Sequence, residues 1–163
     1  MRPMRASRRS FLLAAALGLA ALSVPAAESR AQDPALTDDA VNECALAFLK
    51  ALRKKDVGEA MLHSGVPFVA EDARLLKTEG ELRAYLTDML KKQTDDSVLP
   101  NAVFGVLDYG GSRGATAQEV RALRDQVLTK ADRLVGVGRD GFSRGVLLVK
   151  AVAGKPAVVG IGY

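Results

Sequence analysis

The stretch that decides the fold is RLVGVGRDGFSRGVLLVKAVAGKPAVVGIGY, residues 133–163. Its apolar residues fall into three strand-like segments, Arg133–Gly138, Ser143–Val152 and Pro156–Tyr163. Asp140-Gly141 separates the first two segments, and Gly154-Lys155 separates the last two. Short loops that contain glycine between apolar segments are typical of tight β-hairpins. The chain therefore ends in a predicted antiparallel meander of three strands.

Four helices are predicted before this meander, because capping residues precede apolar residues at helical spacing. Thr37 begins the first helix. The capping-box patterns Asp56–Glu59 and Thr78–Glu81 begin a short second helix, to about Leu62, and a third that ends near Lys92. The fourth helix is predicted over residues 117–130. The first, third and fourth of these helices carry an apolar stripe at helical spacing, which predicts that each packs one face against the rest of the fold.

Two further strands are predicted between the helices. Val66–Ala70 is short, and Pro67 within it implies a sheet edge or a strand start. The second candidate spans Val98–Tyr109. Helices early in the chain and antiparallel strands late are typical of an α+β fold. The stripes predict that four residues share one core: Phe48, Leu52, Leu86 and Val149.

The N-terminal residues have the pattern of an export signal. Four arginines among the first nine residues precede an apolar segment, Phe11–Val24, that is too short to span a bilayer comfortably. Ser7 to Leu13 resembles the twin-arginine signal of bacteria, with Arg8, Arg9, Phe11 and Leu12 at the matching positions and Leu13 in place of lysine. We expect a signal peptide over 1–31, a tether over 32–36 and one domain over 37–163, located in the periplasm or outside the cell. An ordinary secretory signal is the alternative.

The net positive charge of the chain comes from its predicted signal peptide. Residues 1–31 hold five of the 23 basic and one of the 19 acidic residues, so 18 of each remain. A neutral domain gives no argument for binding nucleic acid, which needs a net or patterned positive surface. The remaining residues contain no second apolar run of 18, so no membrane span is expected after the signal.

Metal and cofactor chemistry has little support in the sequence. Cys44 is the only cysteine and His63 the only histidine, which excludes an intramolecular disulfide and a zinc site of Cys/His type. Cys44 shares the apolar face of the first helix, so we expect it to be buried. The loop Gly110–Gly114 lacks the Gly-Lys-Ser/Thr ending of a phosphate-binding loop. We expect neither a metal nor a cofactor.

Several segments together resemble the nuclear-transport-factor-2-like domains. Ala45–Asp56 resembles their opening helix, Phe68-Val69 followed by Thr78–Lys92 their next strand and third helix, and Val158–Tyr163 their closing strand. The resemblance implies a cone-shaped fold in which helices pack on a curved, mostly antiparallel sheet around a cavity. It also implies a ligand in that cavity and a homodimer that pairs through the sheet face. The helix over 117–130, inserted before the last three strands, departs from the family pattern.

The sequence is consistent with two different functions. The first is a non-catalytic binding domain for a small apolar or amphipathic molecule or a protein partner. The second is a cavity enzyme, an isomerase, dehydratase or hydrolase, with His63 or Asp108 as general base and Tyr85 or Tyr109 orienting the substrate. His63 ends the short second helix, where a capping role explains it, and Asp108 enters a turn. An enzyme needs two such groups in one pocket.

Overall fold

The order of helices and strands along the chain follows the predicted α+β pattern. The computed structural model describes residues 36–93, 99–111 and 118–162. The elements are, in chain order, α1 (Asp38–Arg53), α2 (Val57–Leu62), β1 (Ser64–Val69), β2 (Leu75–Leu76), α3 (Glu79–Lys92), β3 (Ala102–Asp108), a 3₁₀ turn (Tyr109–Gly111), α4 (Gln118–Val127), β4 (Arg133–Arg139), β5 (Phe142–Val152) and β6 (Lys155–Gly162).

The first three helices begin where their capping residues predict. The Thr37 hydroxyl accepts the Ala40 N–H at 3.3 Å, and an Asp56 carboxylate oxygen accepts the Glu59 N–H at 2.9 Å. Thr78 and Glu81 form a complete capping box, in which each side chain accepts the other residue's N–H. These caps satisfy N–H groups that have no partner inside a helix. The predicted starts of α1, α2 and α3 are therefore confirmed.

The six strands form one curved, open sheet in the order β2-β1-β6-β5-β4-β3. All neighbours are antiparallel except β1 and β6, which run parallel. The meander prediction is confirmed, because β4, β5 and β6 are consecutive neighbours. The short strand β2, which pairs only with Phe68 and Val69 of β1, was not predicted from the sequence. Pro67 precedes those two residues, so β2 does not pair with β1 at the proline.

Both hairpin turns need two residues with positive φ. Asp140 and Gly141 have φ values of 53° and 82°, and Ala153 and Gly154 have values of 50° and 75°. This pattern belongs to the type I′ turn, whose twist matches the flanking strands. The first turn lies where the sequence predicts. The second lies one residue earlier than predicted, because Lys155 already pairs with Val152 as the first residue of β6.

One face of the sheet packs against α1, α2 and α3. Phe48, Leu52, Leu86 and Val149 all belong to this cluster of buried side chains, as predicted. Phe48, Leu86 and Val149 have no exposed surface. Phe68 is equally enclosed, and Leu82 and Leu147 are almost so. The side chains that face one another between these helices and the sheet are therefore closely packed.

The opposite face of the sheet, called the outer face below, is partly covered by α4. Val127 and Leu128 pack there against Val69, Leu134, Leu148 and Val159. The Lys150 ammonium group donates to the Val127 carbonyl at 2.9 Å, at the C-terminal end of α4. A cation at that end also complements the helix dipole. The predicted inserted helix is thus confirmed, and it lies on the face opposite α1–α3.

Some predictions lie partly or wholly outside the described residues. These are the signal over 1–31, nearly all of the tether, Val98, the later part of the loop Gly110–Gly114, Ala117 and Tyr163. Within the described residues, no helix is both long enough and apolar enough to cross a membrane.

Candidate functional site

His63 occupies the C-terminal end of α2, where the sequence places it. Its Nε2 atom lies 3.5 Å from a Glu59 carboxylate oxygen, one helical turn earlier. Its carbonyl accepts the Val158 N–H at 2.8 Å, which joins α2 to β6. The backbone of His63 therefore has a structural role, and its imidazole lies beside a carboxylate on its own helix.

Asp108 ends β3 and forms an ion pair with the Arg133 guanidinium across the β3–β4 ladder. The Arg133 side chain is only 3% exposed. Its guanidinium also donates to the carbonyls of Ala131 and Leu36, at 3.0 and 3.3 Å. Because an unpaired buried cation is costly, the carboxylate of Asp108 compensates a charge inside the fold.

The structure does not bring His63 and Asp108 together. A single row of paired residues crosses the sheet in the order Ser64, Val158, Val149, Arg133, Asp108. His63 adjoins one end of this row and Asp108 is the other end. Four strand spacings separate the two ends, which is about 19 Å across the sheet. The pair does not form one acid–base site in this arrangement.

The two tyrosines lie on different faces of the sheet. Tyr85 is on α3 and packs against the cluster between the helices and the sheet. Tyr109 packs against the outer-face cluster, and its hydroxyl donates to an Asp125 carboxylate oxygen on α4 at 2.5 Å. One substrate cannot contact both rings without spanning the sheet.

Cys44 is buried, as expected from its helical face. Its thiol donates to the Pro156 carbonyl at 3.3 Å and approaches the His63 carbonyl at 3.7 Å. Burial raises the pKa of the Cys44 thiol to about 11, because the thiolate would lose its hydration. The thiol therefore stays neutral near pH 7 and is a poor nucleophile.

A groove runs between α3 and the connection from β1 through β2. It consists of two adjoining concave regions, of about 520 and 330 Å³, that share Arg74, Tyr85 and Asp88. Leu75, Leu76, Glu81 and Ala84 complete the larger region, and Glu71, Asp72, Met89 and Lys92 complete the smaller. From Glu81 to Lys92 the groove follows α3 for about 16 Å, at 1.5 Å per residue. We call this the α3 groove.

Tyr85 is held firmly at the middle of the α3 groove. Its hydroxyl accepts the Glu71 N–H at 3.3 Å, and its ring lies 6.2 Å from the Phe68 ring, centroid to centroid. The Arg74 guanidinium stands 5.8 Å from the centre of the Tyr85 ring, a cation–π distance. Burial raises the pKa of the Tyr85 phenol, so the hydroxyl is neutral near pH 7.

The walls of the α3 groove carry both signs of charge, with an acidic excess. Arg74 pairs with Asp72 and Lys92 pairs with Asp88, each at 2.7 Å. The hydrogen bond from Lys92 lowers the pKa of Asp88. Backbone N–H groups of Lys77 and Thr78 lower the pKa of Glu81 in the same way. Four carboxylates and two cations line the groove, so two negative charges remain.

Of the residues that line the α3 groove, only Tyr85 was predicted as a site residue from the sequence. The available signal was the spacing on α3, where Glu81, Tyr85, Asp88 and Lys92 recur every three or four residues and therefore share a face. Nothing in the sequence indicated that the acidic segment before β2 lies against that face. Among the described residues, no three His, Cys, Asp or Glu side chains meet in a way that could hold a metal ion.

No protein-family model and no curated protein matches this chain. The α+β architecture with its six-stranded sheet is shown by the structure. The resemblance to nuclear-transport-factor-2-like domains remains a matter of sequence pattern.

Proposed function

We propose that the protein is an exported, non-catalytic binding domain that holds a small amphipathic molecule in the α3 groove. The observation that carries this proposal is the groove itself, in which a firmly held aromatic ring lies among charged and apolar side chains. Its two regions have volumes in the range of small-molecule sites, roughly 300–1,000 Å³.

The lining favours an amphipathic ligand that carries a positive charge. Leu75, Leu76, Ala84 and Met89 offer apolar contact along the groove. Glu71 and Glu81 supply the negative charge that remains after Arg74 and Lys92 are paired with aspartates. A ligand cation near these carboxylates would gain electrostatic attraction in a partly enclosed site.

The alternative of a cavity enzyme has weaker support. It requires His63 or Asp108 to share a pocket with a second polar group. Asp108 is engaged by the buried Arg133, and the strands next to His63 and Asp108 have three strands between them. We therefore favour binding over catalysis.

The proposal is tested with two fluorescent probes of opposite charge. A cationic dimethylaminostyryl-methylpyridinium dye is titrated into the protein, and anilinonaphthalene sulfonate serves as the anionic counterpart. We expect the cationic dye to bind more tightly. Tyr85→Ala should weaken its binding at least about tenfold, the effect of losing roughly 1.4 kcal/mol. Glu71→Gln should weaken it less, through charge alone.

Two matched variants complete this experiment. Glu43→Gln removes an exposed carboxylate from α1 that does not line the groove, and should leave the affinity unchanged. His63→Ala should change the affinity by no more than a few-fold. Equal binding of both dyes, or no effect of Tyr85→Ala in a folded protein, would contradict the proposal. Turnover of a substrate that falls about 100-fold in His63→Ala would instead establish the enzyme.

A further inference from the structure

The edge of the sheet formed by β3 exposes apolar side chains. Phe104 is 48% exposed and Leu107 is 64% exposed. Leu107 pairs with Leu134, whose side chain belongs to the outer-face cluster, so Leu107 points to the outer face. Neither residue belongs to the outer-face cluster of buried side chains that α4 covers. An apolar edge of this kind is a template for pairing with another strand.

The hydrogen-bonding pattern shows which backbone groups of β3 point outward. The Tyr109 N–H donates to the Asp132 carbonyl at 2.8 Å. Because bonded and non-bonded pairs alternate along an antiparallel ladder, Leu107 and Gly105 are bonded to β4. The N–H and C=O groups of Val106 and Asp108 therefore point away from β4, toward the edge of the sheet where the described residues place no further strand.

We propose that two copies of this chain pair antiparallel through β3, on a two-fold axis at Val106. In that register Val106 of each copy exchanges two hydrogen bonds with Val106 of the other. Leu107 of each copy then lies directly opposite Gly105 of the other, with both positions on the outer face. A side chain at Gly105 would have no atom within 4 Å, so the glycine leaves room for the opposing leucine.

The charges along this edge also suit a second copy. The stretch from Ala102 to Leu107 carries no charged residue. Asp108 is neutralised by Arg133 within its own chain. When β3 of one copy pairs with β3 of another, no two like charges therefore lie opposite each other. A second copy of β3 therefore fits this edge, and no different partner is needed to cover it.

The pairing differs from the sheet-face dimer that the family resemblance implies. Here α4 lies across the outer face and packs against β1, β4, β5 and β6. Edge pairing leaves α4 in place and joins two six-stranded sheets into one. A single edge strand with a few apolar side chains buries less than about 1,200 Å², which corresponds to a weak, concentration-dependent dimer.

The test measures both whether the protein dimerises and whether the contact lies at β3. Sedimentation equilibrium of the protein over rising concentration should show a monomer–dimer equilibrium. Amide hydrogen exchange at Val106 and Asp108 should slow as the dimer forms. Gly105→Leu, which has room in the monomer but meets the opposing Leu107, should weaken the dimer at least about tenfold, and Leu107→Lys should do the same.

Two further variants make the test decisive. The double variant Gly105→Leu, Leu107→Gly exchanges the two side chains across the interface, and should restore the dimer to within about fivefold of the parent. Leu62→Lys changes an exposed leucine on α2 and should have no effect. A parent that stays monomeric at about 1 mM overturns the proposal. So does a dimer that Leu62→Lys weakens equally, or one that leaves exchange at Val106 unchanged.

Discussion

At the scale of single residues, Phe48 is the side chain on which the core most depends. It is completely enclosed in the cluster of buried side chains between the helices and the sheet. Phe48→Ala should lower the free energy of unfolding by about 3–5 kcal/mol, because the lost contacts leave a cavity. Urea denaturation followed by circular dichroism measures this. Leu46→Ala, at an exposed position of the same helix, should cost less than about 1 kcal/mol. An equally small loss for Phe48 would contradict the packing.

Cys44 gives a prediction about pH. Burial raises the pKa of its thiol from 9.0 to about 11 in the folded protein. The unfolded chain therefore releases this proton first as the pH rises. The contribution of the neutral Cys44 thiol to the free energy of unfolding is fully present below about pH 9. It decreases as the pH rises toward about 11, because proton binding is linked to folding.

The check for Cys44 compares unfolding free energies at two alkaline pH values. Between about pH 8.5 and 10.5, the free energy of unfolding should fall more for the parent than for Cys44→Ala. These two pH values lie about half a unit below the usual thiol pKa and below the raised pKa of Cys44. Alkylation of the thiol should also be slow in the native protein and fast in urea. Equal pH slopes in both proteins would show that the thiol is not desolvated.

Residue burial was predictable where it follows helical spacing. Phe48, Leu52 and Cys44 lie on one stripe of α1, and all three are buried as that stripe predicts. The partner of Asp108 was not predictable. Arg133 lies 25 residues further along the chain, and only the register of β3 with β4 brings the two side chains together.

At the scale of elements, α4 shows that an amphipathic pattern does not determine which face of a sheet a helix covers. Its apolar residues predict a helix that packs on a sheet, but the same stripe fits either face of the sheet. Contacts from distant strands decide the face. Lys150 of β5 binds the last turn of α4, and Arg124 of α4 reaches Gly162 of β6, where an added Cβ would lie 2.2 Å from the guanidinium.

Lys150→Met tests how α4 is attached. The substitution keeps most of the apolar stem and removes the ammonium group that donates to the Val127 carbonyl. We expect a loss of about 1.5–3 kcal/mol, as for a hydrogen bond to a charged group. Amide exchange should accelerate in α4 more than in α1. Lys155→Met, at an exposed position after the turn, is the control. Unchanged exchange in α4 would show that apolar packing alone holds the helix.

Strand pairing was predictable only between neighbours in sequence. Turn chemistry at Asp140-Gly141 and near Gly154 is local, so the β4–β5–β6 meander could be predicted. The parallel pairing of β1 with β6 joins segments about ninety residues apart and has no local signal. β2 has only two residues, too few for any alternating pattern to be recognised.

At the scale of the whole molecule, the candidate site arises from the same distant contacts. The α3 groove exists because Tyr85 anchors the chain at Glu71 and Arg74 folds over its ring. The polar face of α3 was visible in the sequence, but the segment that forms the opposite wall was not. His63 and Asp108 were selected for acid–base chemistry by residue type, and the sheet topology places three strands between the strands next to them.

Export is the property of the whole chain that the sequence predicts most directly. Arg8 and Arg9, followed by Phe11 and Leu12, are the residues on which the twin-arginine assignment rests. Replacing both arginines with lysine in a bacterial host keeps the charge and removes the guanidinium pair. We expect the protein to remain in the cytoplasm, as shown by cell fractionation and immunoblotting.

The matched control for export replaces Arg2 and Arg5, which carry charge in the same region but lie outside the pattern. Lysine at those two positions should leave export intact, because a signal peptide needs a positive n-region and not arginine in particular. Unchanged export after substitution of Arg8 and Arg9 would show that an ordinary secretory signal carries the protein. In that case the domain would be exported unfolded, and its core, its groove and its β3 edge would form only after export.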